Sequence, residues 1–273
     1  MTQRNRLLMC PPHHFTVRYE INPWMNVQRK PDAVAAHDQW QQLVANLEPI
    51  ADIVLCEPAA DAPDMVFTAN AGFVFDGRVV VSRFRHPERQ TEEPHFADWF
   101  EDAGFALVDW PEDVRFEGAG DCLVDRGERR LWLGHGLRSD PRAGAALEAA
   151  FDVPVHTLTL VDPRYYHLDT CFCPLADGYT LFYPAAFSAE SQMLIRSLIP
   201  ASKRIEVSDS DAQAFACNAV GLGEHVFMNR SSKALRSTLG KLGFKVLESP
   251  VTEFLRAGGA VKCLSLNLDD HIV

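Results

Sequence analysis

The chain has 273 residues, 47% hydrophobic and 23% charged, which is enough apolar material for a sizeable core in one large domain or two small ones. Its formal net charge of -11, from 37 acidic against 26 basic side chains, argues against nucleic acid or an anionic membrane as a partner and leaves small cationic ligands attractive. The opening MTQRNRLLMCPP has an apolar run too short for a signal peptide or a bilayer span, so the seven cysteines are expected to be reduced thiols in a cytoplasm.

Along the chain, RLLMCPP reads as a first strand and residues 32–47 as an amphipathic helix that leads into a strand from Asp52. The helix-then-strand unit returns four more times, with strands starting near Phe105, Val153, Lys203 and Phe244, roughly every fifty residues. Between these units lie four hairpin-like segments, MVFTANAGFVFDGRVVVSRF, DCLVDRGERRLWLGHG, DTCFCPLADGYTLFYP and CNAVGLGEHVFMNR. Their turns, Asp76-Gly77, Arg126-Gly127, Asp177-Gly178 and Gly221/Gly223, are expected to supply the positive φ that tight hairpins need. The repeat is therefore a strand, its hairpin return, a helix and a further strand. The first helix lacks a hairpin of its own. The C-terminal run AVKCLSLNL is expected to return as the missing strand and close a ring of five.

Closure would bring equivalent strand starts to the centre, so Asn70, Glu117, His167, Asn218 and Cys263 should line one pit. A thiol, an imidazole and a carboxylate together are the makings of a cysteine nucleophile with an acid/base and its orienting group. A second reading concerns HLDTCFCPL, where Cys171 and Cys173, read as strand residues, would share a face with His167 and Asp169. No further C-x-x-C or H-x-x-x-H accompanies them, so small packed residues are the better account than zinc. No metal and no cofactor are expected. Cys10, Cys56, Cys122 and Cys217 read as buried inert thiols.

The segments DMVFTANAG, FEGAGDCL, YYHLDTCFCPL and GGAVKCLSL resemble, in order and spacing, the signatures of the guanidine-modifying or pentein superfamily. Arginine deiminases, dimethylarginine dimethylaminohydrolases, amidinotransferases and arginine dihydrolases belong to it. The resemblance spans essentially the whole chain and implies one α/β domain over residues 1–273, a five-bladed propeller of ββαβ modules. It further implies Cys263 as nucleophile, His167 as acid/base and Glu117 as its orienting carboxylate. Asp169, placed two residues on and so on the same strand face, would grip guanidinium nitrogens. Arg89 and Arg138, in loops, resemble the arginines that hold an α-carboxylate, and Asp64 the acid that meets the ammonium. Phe67, in DMVFTANAG, and Asp121, in FEGAGDCL, are counted with the substrate contacts on the same ground.

One departure carries information. Deiminases and dimethylarginine hydrolases of the superfamily typically have Asp where FTANAG has Asn70, whereas arginine dihydrolases resemble this chain there and in INPWM, which contains Asn22. Asn22 and Asn70 are therefore expected to contact substrate. An amide can hold a neutral ureido group as well as a guanidinium, which implies hydrolysis of L-arginine to L-ornithine, two ammonia and carbon dioxide. A citrulline-forming hydrolase is the alternative, and a non-enzymatic ring, like the ribosome-associated penteins, is disfavoured by the intact Cys, His and Glu set. The expected partner is a small-molecule substrate, arginine or a methylated arginine, with no nucleic acid and no membrane; a homo-oligomer is compatible with the sequence.

Overall fold

Alternating turns and apolar runs fold into five three-stranded sheets in the computed structural model, which describes residues 4–271. The second sheet shows the rule. Gly72–Phe75 pairs antiparallel with Arg78–Val81 across a two-residue turn, the helix Glu92–Asp102 crosses over, and Ala106–Leu107 lies parallel to the returning strand. Asp76 and Gly77 stand at φ 48° and 72°, as a tight hairpin of this hand requires. The third, fourth and fifth sheets repeat it with Cys122–Val124, Leu131–His135 and Val155–Thr159; Phe172–Pro174, Thr180–Phe182 and Arg204–Glu206; and Val220–Leu222, His225–Met228 and Lys245–Glu248. The α/β architecture and its five modules are those expected from the repeat.

The first sheet is assembled from both ends of the chain. Arg6–Met9 runs parallel to Asp52–Leu55 and antiparallel to Leu266–Asn267, with Leu7 opposite Asn267 and Leu8 opposite Leu266. Its helix, Ala33–Leu47, begins where the Asp32 carboxylate accepts from the Ala35 amide, and it buries Ala36, Trp40, Leu43 and Leu47. Arg6 donates its amide and guanidinium to Asp269 at 2.7 and 2.6 Å, which fastens the two segments together.

Three local expectations are corrected. The closing strand is only Leu266–Asn267, and Cys263 lies before it in a turn. There Leu264 donates its amide to the Ala260 carbonyl and Ser265 to that of Lys262. Gly258, at φ 84°, and Gly259 bring the backbone so close to their neighbours that a Cβ would collide with the Tyr166 hydroxyl at the first and the Phe67 ring at the second. The coil between them and the strand is thus a packing requirement. Residues 168–171 are likewise not a strand: a tight turn spans Leu168–Thr170 directly after the extended His167, with the Thr170 hydroxyl donating to the His167 carbonyl at 2.6 Å. His167 and Asp169 consequently do not share a strand face. Finally, Gly127 and Gly221 do not adopt positive φ. Gly221 sits inside a strand, and the Asp125 carboxylate shapes the other loop by accepting from the amides of Gly127 and Glu128. Among the described residues no helix is long and apolar enough to cross a membrane.

Candidate active site

Each hairpin is entered through a short turn, and the five turns meet. Asn70 Nδ2 donates to the Glu117 carbonyl at 3.1 Å, Glu117 Oε2 lies 2.6 Å from His167 Nε2, and the Asp169 carbonyl accepts from Asn218 Nδ2 at 3.1 Å. Asn218 Nδ2 also donates to Cys263 Sγ at 3.1 Å, and the Cys263 carbonyl accepts from the Ala69 amide, returning to the second module. Asn218 Oδ1 accepts from the amides of Ala260 and Cys263, so one side chain fixes the turn that bears the thiol. The convergence inferred from the repeat is what the chain adopts.

Glu117 is fully buried. Its Oε1 accepts from the Arg85 amide at 3.1 Å, and Oε2 meets His167 and, at 3.2 Å, Arg138 Nη1. Burial works against the carboxylate charge, but Arg138, His167 and Arg89 outweigh it and hold the Glu117 carboxyl well below the usual range. Burial lowers the His167 pKa to about 4, with Arg138 and Arg89 adding to that and Glu117 opposing it. At neutral pH the imidazole is therefore uncharged, with Nε2–H directed to Glu117 and Nδ1 left as the basic nitrogen.

The thiol stands in a different setting. Cys263 Sγ lies 3.5 and 3.8 Å from the Asp169 carboxylate oxygens. Burial, and then the Asp169 charge, push its pKa up; burial also raises Asp169 to about 7, against the pull of Lys262. The Cys263 thiol is thus favoured in its protonated form, and its polar side-chain partners are Asn218 and Asp169 and not His167.

One cavity wall brings together Asn22, Asp64, Phe67, Asn70, Arg89, Arg138, Tyr166 and Cys263. Arg89 and Arg138 are not solvated loop arginines: both are buried. Arg89 is forked onto Glu92 at 2.7 and 2.8 Å and donates Nη1 to Asn70 Oδ1 at 2.9 Å. A donor-only guanidinium on one side and a carbonyl on the other settle which way the Asn70 amide points. Arg138 stacks 4.5 Å over the Tyr166 ring and donates to the Ile21 carbonyl. Asp64 accepts from the Tyr19 hydroxyl through Oδ2, while its buried Oδ1 has no hydrogen-bond partner among the described residues. Asn22 caps its own turn by accepting from the amides of Trp24 and Met25, and donates to the Ala257 carbonyl, so the turn role and the place in the cavity wall coincide. Asp121 stands behind this wall instead. It bridges the Ser139 hydroxyl at 2.6 Å and the Leu168 amide at 3.1 Å, supporting the Glu117 and His167 turns from beneath.

The cavity is shut in this conformation. Its free volume is about 10 Å³, room for no more than a water, and Ile21, Asn22 and Met25 form one side. Tyr166, Glu92 and Ser139 were not singled out in the sequence. Only Tyr166, beside His167 in YYHLD, carried a signal that could have found it. Cys171 and Cys173 point their thiols at the carbonyls of Leu168 and Ala219, and among the described residues no group of three His, Cys, Asp or Glu is arranged to hold a metal.

Comparison with known proteins adds the relatives of this arrangement. The family model described as N,N dimethylarginine dimethylhydrolase, eukaryotic, matches residues 12–268. The bifunctional arginine dihydrolase/ornithine cyclodeaminase AgrE of Nostoc sp. is 50% identical over the whole chain, and the same-named ArgZ of Synechocystis sp. is 50% identical over 98% of it. The chain spans about two fifths of the length of these two relatives, 39% and 38%. The N(G),N(G)-dimethylarginine dimethylaminohydrolase of Mycobacterium tuberculosis is 40% identical, over 96% of this chain and 85% of that protein. Among solved structures, the N-terminal domain of ArgZ, an arginine dihydrolase, in a cysteine-to-serine mutant bound to substrate, superposes with a TM-score of 0.96 at 49% identity, covering 98% of this chain and all of that one.

Proposed function

This chain belongs to the N,N-dimethylarginine dimethylhydrolase family, and on that premise we propose that it is an arginine dihydrolase, converting L-arginine and two waters to L-ornithine, carbon dioxide and two ammonia. The observation that carries this reading is Asn70, a neutral amide in the cavity wall, held in one orientation by Arg89 and the Glu117 carbonyl. The 49% identity to the complete N-terminal domain of ArgZ, named an arginine dihydrolase, supports it.

Cys263 is the nucleophile, His167 the acid/base and Glu117 its orienting carboxylate. A guanidinium placed against Asp169 brings the positive charge that the buried thiol lacks, and so favours thiolate only when substrate is present. Sulfur bonds to the guanidinium carbon, and His167 relays the thiol proton to a terminal nitrogen, which leaves as ammonia. Water activated by His167 then displaces the thiol and forms the ureido group. The Asn70 amide retains this neutral group for a second attack, which expels the second ammonia and leaves a thiocarbamate. A second water frees ornithine N-carboxylic acid, which loses carbon dioxide. Asp64, with its unpartnered Oδ1, receives the substrate ammonium; Arg89 and Arg138 receive its carboxylate, and Asn22 and Phe67 shape the cavity. Free, buried cysteines suit a reducing cytoplasm.

Incubation with arginine should give ornithine and two ammonia per turnover without accumulation of citrulline. The 40% identity to the Mycobacterium tuberculosis dimethylarginine dimethylaminohydrolase keeps a second reading in view, hydrolysis that stops at citrulline. Citrulline as sole product from arginine, or preferential use of dimethylarginine, would replace the first reading with the second.

A further inference from the structure

Behind the nucleophile lies a second cavity, of about 50 Å³, which shares no residue with the first. Three of its lining residues are the immediate surroundings of the thiol: Asp169, whose carboxylate meets Sγ at 3.5 Å, Lys262, which precedes Cys263, and Ala219, which follows the Asn218 that donates to Sγ. The rest is drawn from the hairpins that surround the centre, including Val220, Leu222 and Cys173, and from the paired end segments, including Leu7 and Ser265. A space of this size admits a few waters, and a buried carboxylate and an ammonium give them partners.

The reaction makes a demand that the front cavity cannot meet. Two waters must arrive and two ammonia must leave between one arginine entering and one ornithine departing. Meanwhile the amino acid fills a site already reduced to about 10 Å³ and roofed by Ile21, Asn22 and Met25. That roof is fastened, with Arg138 Nη2 donating to the Ile21 carbonyl at 2.9 Å, Asn22 Nδ2 to that of Ala257 at 3.0 Å and Trp24 Nε1 to that of Arg164 at 2.7 Å. We propose that the rear cavity is a binding compartment for water and ammonia, which supplies the hydrolytic water past Asp169 and receives the released ammonia while substrate blocks the front. Asp169 lines the rear space and meets Sγ of Cys263, which lines the front one, so the two spaces adjoin at this carboxylate–thiol contact. The Asp169 carboxylate can accept from water or ammonium on the cavity side, and the Lys262 ammonium can donate to water or to uncharged ammonia. No new bond is made or broken in the transfer. The inference rests on the dihydrolase reading for its second water, although a single hydrolytic cycle already needs the first.

The test narrows the compartment without touching the catalytic groups. Val220→Phe and Leu222→Phe should lower kcat for arginine about tenfold or more while KM stays within about twofold, since binding from the front is unchanged. Thermal melting of each variant separates a filled cavity from a damaged fold. In the wild type, ammonium chloride should inhibit without competing with arginine, and tetramethylammonium chloride, too large for the space, should not. Well-folded Phe variants that turn over at the wild-type rate would overturn the proposal, as would ammonium inhibition that is purely competitive with arginine. If both Phe variants unfold, the ammonium pattern in the wild type decides alone. Failure of the dihydrolase reading shows separately, as citrulline from the unmodified enzyme.

Discussion

The third and first modules offer equivalent positions to the same centre, yet they are built differently. Glu117 stands at the entrance to a hairpin continuous in sequence, and every part of its carboxylate is bonded, to Arg85, Arg138 and His167. Cys263 stands at the entrance to a strand of two residues whose partner, Arg6–Met9, lies at the other end of the chain. Its thiol is held by one amide and faces a carboxylate. On the proposed roles, the contrast teaches that the rigid half of the site is the acid/base half, whose charge must be fixed in advance. The nucleophilic half is left electrostatically unfavourable until a cation arrives.

The largest effect should come from removing either half. Cys263→Ser should cost on the order of 10⁴-fold or more in kcat, and Glu117→Gln roughly 10²–10⁴-fold, with thermal transitions preserved. If either collapsed the fold, the residue would be structural and the contrast of roles would fail. Next, Leu266→Ala in the first sheet and Leu181→Ala in the fourth both delete fully buried side chains and should each cost about 2–5 kcal/mol in denaturant unfolding. Only Leu266→Ala should also depress kcat in the folded fraction, because it loosens the segment that follows the thiol. Equal kcat in the two variants would show that the split module is as firm as the others.

A smaller change should come from Glu92→Gln. Burial raises the Glu92 pKa to about 7, against the pull of Arg89, and its fork on that arginine holds the Asn70 amide in register. The variant should raise KM for arginine and let some citrulline escape, with Glu92→Asp retaining more ornithine formation than Gln; chromatography of the products reads this. Asn70→Asp should also release citrulline, at a reduced rate, since its second oxygen would face the Glu117 carbonyl now 3.1 Å away.

The smallest effect is one of stability with pH. Asp169, fully buried and raised to about 7, binds a proton more tightly folded than unfolded. Its contribution is therefore present below the unfolded carboxylate pKa and is lost as pH rises through about 7. Asp169→Asn should melt a few degrees higher than the wild type at pH 8 and show a smaller gain at pH 5, while losing activity at both. An unchanged difference across that range would mean that the carboxylate is not desolvated as described.

Much of this was legible in the sequence because it depends on local pattern. The five modules follow from turn residues and apolar runs, and Asp76-Gly77 and Asp177-Gly178 do take positive φ. The convergence of Asn70, Glu117, His167, Asn218 and Cys263 follows from the same repeat. What could not be read depends on distant contacts. That Cys263 sits in a turn is decided by Phe67 and Tyr166 pressing on Gly259 and Gly258. That Arg89 and Arg138 are buried depends on Glu92 and Tyr166, and that Asp121 supports the wall from behind depends on Ser139. The turn at Leu168–Thr170 turns His167 and Asp169 to different partners, which the alternation of a strand would not produce.

The pairing of Leu8 with Leu266 has a further consequence for how the enzyme comes into being. Four modules can close by contacts between neighbours in the sequence, but the first must wait for a contact that encloses almost the whole chain. Loop-closure entropy grows only slowly with length, so the equilibrium penalty is modest, whereas the ordering in time is not. The acid/base half of the site can form while the thiol is still unplaced, and a chain that is partly folded or partly synthesised holds Glu117 and His167 without a nucleophile. On the proposed dihydrolase reading, activity should therefore return last on refolding, after the change in tryptophan fluorescence.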